Sequence, residues 1–255
     1  ATLGCDLHAR DGVPMGLIDV ERAVLSICFR AEPPEQLLAA LGDRSTWLMY
    51  REMVRDRLLH EIRVALPRSC RLLGERALLT AFDDHLDRDP PRTRFFRAIV
   101  RSFVDSALPL WAADAHVSPR SLDMVRYETA LWEVRDLESN DGAYDEFAFD
   151  RAPVVSSALR LLELAHAVHL TPGDEPGPHY LCIHRASDAD RPRTWSLTKT
   201  TFALLQRWQV GDATVAESVQ QFGAARGIAI DAAFVDALCA TLAQFIETGI
   251  VLGSR

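Results

Sequence analysis

Apolar residues recur every three or four positions through most of the first half of the chain, which is the spacing of one face of an α-helix. The segment 45–86 shows this most clearly. Its first apolar stripe consists of Trp47, Tyr50, Val54, Leu58 and Ile62. Ser45 is the predicted N-cap, and Pro67 the predicted stop, because proline has no N–H and clashes with the preceding turn. A partner helix is then predicted over residues 72–86.

Similar patterns on either side predict further helices with short connections. They cover residues 17–29, 35–41, 93–108 and 119–137. Pro109 is the predicted stop of the third of these helices. Helix after helix with short breaks predicts an all-α bundle, which we assign to residues 17–150 behind a loose N-terminal segment at 1–16.

The pattern changes after residues 138–150, an acidic segment that contains the turn signal Asn-Asp-Gly. Residues 179–184 alternate as a β-strand and are predicted to pair with 193–197 as a hairpin, whereas 152–170 fits either strands or a short helix. Three helical patterns follow, at 199–208, 214–225 and 231–249.

A few strands followed by three short helices outline a small winged-helix-like domain over residues 151–255. The same order of elements resembles the leader-peptide recognition elements of peptide-modifying systems. The predicted fold class is therefore α+β, with an N-terminal all-α helical bundle followed by a small winged-helix-like, leader-recognition-like α+β domain.

Composition narrows the class of protein. The chain has 255 residues, 48% of them hydrophobic, and a formal net charge of −8. A negative total argues weakly against nucleic acid, because neutralising phosphates needs a basic face. No apolar run is long enough for a membrane span and the N-terminus lacks a signal layout. Five scattered cysteines without a CxxC pair are typical of reduced thiols, so we expect a cytoplasmic protein.

Candidate catalytic chemistry is sparse. The sequence contains no GxSxG, P-loop, GxGxxG or HExxH motif. Four histidines crowd into the second domain: His166, His169, His179 and His184. Metal binding is one interpretation, but 179 and 184 differ by an odd number and so point to opposite faces of a regular strand. We favour ordinary surface or capping histidines, and expect no catalytic residue, metal site or cofactor in this chain.

An ordered set of short motifs carries a family resemblance over roughly residues 20–137. The set comprises Tyr50-Arg51, Arg57-Leu58, Pro67, Leu72-Leu73-Gly74-Glu75, Pro90-Pro91-Arg92, Phe95-Phe96-Arg97, Phe103, Val125-Arg126-Tyr127-Glu128, Ala130 and Trp132. It resembles the HvfC/BufC family, whose members are similar to partner proteins of multinuclear non-haem iron oxidases in methanobactin-type and 3-thiaglutamate-type systems. Those oxidases modify cysteines in ribosomally made peptides.

The resemblance implies a non-catalytic subunit of a two-protein complex, with the iron in the partner enzyme. It also implies that the helical domain packs against the oxidase. The candidate partner-binding residues are Tyr50, Arg51, Arg57, Arg126 and Tyr127.

The arginine-rich face of the long helix invites a second interpretation, a DNA-binding transcriptional regulator. Acidic residues lie among these arginines, so a solvated face with ion pairs, or a protein contact, is favoured. The third helix of the second domain contains no Arg or Lys, which a helix reading the major groove needs.

An exposed sheet edge can instead accept an extended peptide as an added strand. We therefore predict that the second domain holds the leader segment of a precursor peptide, along 180–184 or along 194–197, with the last helix as a groove wall. A small structural domain without a ligand is the alternative. The candidate peptide-binding residues are Tyr180, Leu181, Cys182, Ile183, His184, Trp195, Leu197, Phe234 and Leu238.

Overall fold

The structure is a computed structural model that describes residues 16–93, 95–135, 137, 141–171, 175–186, 189, 191–211 and 213–255. Within these ranges the fold is α+β, with helices throughout the first half and a small sheet region in the second, which confirms the predicted class at this level. The helices are α1 (Leu17–Phe29), α2 (Glu35–Ala40), α3 (Arg44–Ala65), α4 (Pro67–Arg88), α5 (Phe96–Ala113), α6 (Pro119–Arg135), α7 (Lys199–Val210), α8 (Val215–Arg226) and α9 (Ala232–Glu247). The strands are β1 (Pro153–Val155), β2 (Leu159–His166), β3 (Pro176–His184), β4 (Arg193–Leu197) and β5 (Val251–Ser254).

The chain divides into two compact units, Ala1–Val125 and Arg126–Arg255. The predicted boundary at residue 150 lies inside the second unit and stays a prediction. Two side-chain contacts tie the end of α6 to the strands of that unit. The Tyr127 hydroxyl lies 3.0 Å from the Thr194 hydroxyl, and Arg160 donates to Glu133 at 2.8 Å.

The long helix α3 begins two residues earlier than predicted, because its N-cap is Asp43 rather than Ser45. The Asp43 carboxylate accepts hydrogen bonds from the backbone N–H groups of Ser45 at 3.2 Å and Thr46 at 3.3 Å. A carboxylate meets the orphan N–H groups of the first turn more strongly than a hydroxyl does. Hydrogen bonds from the Thr46 and Ser45 hydroxyls lower the pKa of Asp43 to about 2.

The structure corrects the predicted roles of two prolines, Pro67 and Pro109. Pro67 ends α3 as predicted, but it also starts α4 at once, because its fixed φ suits the first position of a helix. Gly74, with φ of 78°, then interrupts α4. Pro109 lies inside α5 instead of ending it. An internal proline costs roughly 3 kcal/mol, yet the chain stays helical beyond it and Trp111, two residues farther along, is buried.

The first unit has an aromatic centre. Phe103 is fully buried, and its ring meets those of Phe82, His85 and Trp111 edge to face at 6.4, 5.7 and 5.6 Å. The Trp111 indole N–H donates to the Ala77 carbonyl at 3.1 Å. These contacts join α4 to α5, as the predicted bundle requires.

The second unit contains two antiparallel sheets. One has the strand order β2-β3-β4, which confirms the predicted hairpin and adds a strand at 159–166. The other pairs β1 with β5, a four-residue strand that the sequence analysis missed because it is too short to show alternation. Gly253 is needed there, since the Asp145 carbonyl lies where a Cβ would stand.

The faces of the three-stranded sheet are distinguished by the strand register. Cys182 pairs with Leu161 and Trp195, and this face packs against α7, α8 and α9. Ile183 pairs with Arg160 and Thr194, whose side chains contact the end of α6. Both faces are therefore covered within the second unit, which leaves the edges and the ends of the sheet as its accessible parts.

Candidate functional site

The middle strand β3 has no free edge over the range predicted to bind a peptide. Tyr180 through His184 pair with β2 on one side and with β4 on the other. Strand addition along 180–184 is therefore excluded while these pairs hold. The alternative along 194–197 remains open, because β4 pairs only with β3 among the strands of the described ranges.

Three of the residues predicted on β3 belong to the core. Leu181, Cys182 and Ile183 are each fully buried. Burial raises the pKa of the Cys182 thiol to about 12, so the thiol stays protonated and is not a nucleophile. Tyr180 is half-buried, with its ring 5.2 Å from that of Phe202.

The predicted groove wall lies in a cleft between α7 and α9, which we call the α7–α9 cleft. Its volume is about 330 Å³. Phe234 and Leu238 form one wall and Leu204 and Trp208 the other, and four threonines complete the lining: Thr198, Thr200, Thr201 and Thr241. An apolar floor with hydroxyl groups at its border suits an apolar side chain on a polar backbone.

Helix capping positions both walls. The Thr198 hydroxyl accepts from the Thr201 N–H at 3.1 Å and starts α7 directly after β4. The Asp231 carboxylate accepts from the Phe234 N–H at 2.9 Å and starts α9. The cleft therefore begins where β4 ends, which brings Leu197, Phe234 and Leu238 around the same apolar core.

A second cleft lies at the other end of the same sheet face, and we call it the β3–α9 cleft. Its volume is about 490 Å³, and its lining includes His184, Arg193, Trp195, Gln244, Glu247 and Thr248. His184 is only 3% exposed, and burial lowers the pKa of its imidazole. Within the described residues, neither His184 Nε2 nor Trp195 Nε1 has a hydrogen-bond partner.

The predicted partner-binding residues differ in their exposure. Tyr50, Arg57 and Arg126 are exposed. Arg51 donates instead to the carbonyls of Ile27 at 2.6 Å, Cys28 at 3.1 Å and Ala31 at 3.0 Å, and so caps the end of α1. Tyr127 is buried against β4.

Several arginines of the arginine-rich face form ion pairs with acidic side chains of the first unit. Arg55 pairs with Asp83, Arg57 with Glu61 at 2.7 Å, and Arg63 with Glu75 at 2.5 Å. These contacts agree with the predicted face of ion pairs. They also reduce the positive charge that a phosphate backbone would meet.

The histidines of the second unit do not converge. The rings of His169 and His179 lie 5.9 Å apart, whereas His184 lies on the opposite face of β3 from His179. Burial is the main reason that the pKa of His169 is lowered. In the part of the chain that the structure describes, no group of three or more His, Cys, Asp or Glu residues is placed to hold a metal ion.

Sequence reasoning missed most of the α7–α9 cleft. Its α9 side was visible as the helical spacing of Phe234, Leu238 and Thr241. Its α7 side could not be predicted, because the position of Trp208 in the sequence is typical of an ordinary core residue of an amphipathic helix. Only the packing of the two helices shows that both side chains line the same space.

Comparison with known families agrees with the resemblance noted in the sequence. Residues 156–246 match the family model described as the HvfC C-terminal domain. This segment contains β2 to β4 and nearly all of α7 to α9, and it lies outside the motifs that first suggested the family. The match supports an HvfC-type partner protein. No curated protein matches the chain.

None of the helices in the described ranges combines the length and the apolar character that crossing a bilayer requires.

Proposed function

We propose that the chain is a non-catalytic partner subunit that binds the leader segment of a precursor peptide and presents it to a multinuclear iron oxidase. The observation that carries this proposal is the match to the HvfC C-terminal domain, which covers the three-stranded sheet and the α7–α9 cleft. Holding the peptide beside another protein's metal centre raises its effective concentration there. Modification of cysteine and residence of the iron in the partner follow from the family resemblance.

The peptide's place is the outer edge of β4 followed by the α7–α9 cleft. Backbone hydrogen bonds along 194–197 give affinity for any extended peptide, whereas the cleft selects a side chain. The two are continuous, since Leu197 is the last residue of β4 and Thr198 already lines the cleft. In this proposal, the predicted winged-helix-like domain would hold a peptide in place of DNA.

The first unit supplies the proposed oxidase contact. Met49, Tyr50 and Met53 lie on α3 with exposures of 58%, 42% and 59%. Large apolar side chains grouped on one helix are typical of protein contact surfaces. Tyr50 was already a candidate from the family motif, and the structure leaves it accessible within its unit.

A charge placed in the α7–α9 cleft tests the peptide site in the full chain. Leu238→Arg should weaken binding of the precursor peptide at least about tenfold, because it puts a cation where an apolar side chain would be buried. The peptide to use is a synthetic precursor with a leader segment and a cysteine-containing core, and calorimetry measures its affinity. Co-purification with the oxidase should be unchanged.

The matched control is Val235→Arg, on the same helix. Val235 is 42% exposed and is not part of the cleft lining, so this variant should bind the peptide like the wild type. Wild-type affinity in Leu238→Arg, or an equal loss in both variants, would remove the cleft from the peptide's path. Absence of any precursor binding by the wild-type chain would refute the proposed function itself.

A further inference from the structure

The last helix, α9, is apolar around most of its circumference, although most of its residues are exposed. Of its 16 residues, only Leu242 and Phe245 are buried. Eleven are exposed: Ala232, Ala233, Val235, Asp236, Ala237, Cys239, Ala240, Ala243, Gln244, Ile246 and Glu247. A helix that is hydrophobic on all sides is typically covered by other structure. These exposed residues, which we call the outer face of α9, therefore have the composition of a contact surface.

The two other helices of the same unit have a different composition on their exposed sides. Charged or amide side chains make up four of the five exposed residues of α7 and four of the seven exposed residues of α8. On the outer face of α9 they are three of eleven. The apolar outer face is therefore a property of α9 and not of every helix that covers this sheet.

Large apolar side chains lie on one side of the outer face. Val235 and Ile246 are 42% and 39% exposed, and they are 11 positions apart. Because a helix has about 3.6 residues per turn, this spacing returns to nearly the same direction after about three turns, or about 16 Å. Cys239 lies between them on the same side. Together these residues form an apolar stripe that is open to a partner.

The charges on the outer face are all negative. Its charged residues are Asp236 and Glu247, each next in sequence to one end of the apolar stripe, and residues 227–254 contain no Arg or Lys. Arg193 lies with Glu247 in the lining of the β3–α9 cleft and offsets part of that charge, whereas Asp236 is not part of this lining. The outer face therefore attracts a basic partner and repels an acidic one.

We propose that the outer face of α9 binds an amphipathic helix of another protein, one with an apolar stripe flanked by arginine or lysine residues. Its apolar side chains pack on Val235 and Ile246, and its basic side chains, about three turns apart, meet Asp236 and Glu247. This contact goes beyond the proposed function and rests on neither the peptide site nor the oxidase contact.

The sign of the charge argues against other occupants. Two copies of α9 packed antiparallel would set Asp236 of one copy against Glu247 of the other, and parallel packing would set each carboxylate against its equivalent. Nucleic acids and anionic membranes have the same sign of charge as the outer face. A basic helix is the occupant that satisfies both the apolar stripe and the carboxylates.

Two synthetic helices test this surface on the full chain. One peptide of about 18 residues has a leucine stripe flanked by lysines, and the other has glutamates in place of those lysines. In calorimetry the lysine peptide should bind with a Kd at least about tenfold lower than that of the glutamate peptide. Absence of saturable binding of the lysine peptide, or equal affinity for the two peptides, would overturn the proposal.

A charge reversal on the outer face has a matched control on α1. Asp236→Lys should weaken binding of the lysine peptide at least about fivefold, because an attraction becomes a repulsion. Glu21→Lys makes the same change in net charge at another exposed position and should bind the lysine peptide like the wild type. Equal losses would mean that binding follows the net charge of the chain and not this surface.

Two further variants separate the outer face from the α7–α9 cleft. Val235→Arg should weaken the lysine peptide at least about tenfold and keep the precursor peptide, whereas Leu238→Arg, on the cleft side, should do the reverse. A loss of both ligands in both variants would contradict a separate surface. A wild-type dimer in light scattering that Val235→Arg dissociates would assign the face to a second copy and overturn the proposal. A chain that binds the lysine peptide but no precursor keeps this surface and loses the proposed function.

Discussion

The two units differ in the hydrogen bonding of their tryptophan indole N–H groups. In the first unit, Trp47 donates to the Leu41 carbonyl and Trp111 to the Ala77 carbonyl, both at 3.1 Å. In the second, the buried indole N–H groups of Trp132, Trp195 and Trp208 find no acceptor within the described ranges. A buried donor without an acceptor costs about 1–3 kcal/mol unless water or a ligand supplies one. Two of these three indoles, those of Trp195 and Trp208, belong to residues that line clefts of the second unit.

In the first unit, several polar side chains form hydrogen bonds within the unit. Arg51, a residue of the family motif, has its guanidinium on the carbonyls at the end of α1. A motif residue can therefore mark a fold as well as a contact surface. The proposed oxidase contact therefore uses the exposed apolar side chains of α3.

The largest expected effect concerns the reactivity of cysteine thiols in the second unit. It tests whether the buried indole N–H groups without an acceptor lie in a loosely packed core that is open to solvent. Cys182 is fully buried, and its pKa of about 12 lies well above the ordinary value of 9.0. The exposed Cys239 is the comparison within the same unit. In iodoacetamide, Cys182 should react at least about a thousandfold more slowly than Cys239, because only the thiolate attacks. Peptide mass spectrometry of the quenched protein measures both rates, and similar rates would mean that the sheet is open to solvent.

A smaller effect tests how far the first unit depends on its internal arginine contacts. Arg51→Met should lower the free energy of unfolding by about 1.5–3 kcal/mol, because three carbonyls lose a charged donor. Arg57→Met removes an ion pair between residues one turn apart on the helix surface and should cost only about 0.5 kcal/mol. Urea denaturation measures both. Equal losses would break the distinction between structural and surface arginines.

Sequence periodicity predicted the elements well, and it failed where a tertiary contact decided the outcome. The α5 helix continues past Pro109 to Ala113, and Trp111 beyond the proline is buried and bonded to Ala77 of α4. β5 forms because β1 and Asp145 are there to pair with it. Neither partner is local, so no window of the sequence could show them.

The candidate site divides in the same way. Phe234 and Leu238 were predictable as a wall, because helical spacing places them on one face of α9. The order β2-β3-β4 was not predictable, and it moves strand addition from 180–184 to the edge of β4. The lack of a hydrogen-bond partner for His184 Nε2 and Trp195 Nε1 in the described residues could not be predicted either. It can be recognised only when the positions of all neighbouring residues are known.

The smallest expected effect compares a buried histidine of the first unit with His184. His85 Nδ1 lies 2.8 Å from the Ser106 hydroxyl, so this ring has the partner that His184 Nε2 lacks in the described residues. Burial lowers the pKa of His85 from its ordinary 6.5, against the opposing charges of Asp89 and Asp84. Below pH 6.5 the unfolded chain therefore binds a proton that the folded chain does not bind, and the free energy of unfolding falls as the pH falls through the folded pKa.

His85→Asn keeps a hydrogen-bonding group near the Nδ1 position without titrating. Between about pH 8 and pH 5, the wild type should lose on the order of 1 kcal/mol more than this variant in urea denaturation. Parallel pH profiles would show that His85 is not held neutral by burial, and the first unit would then lose one of its internally satisfied polar groups.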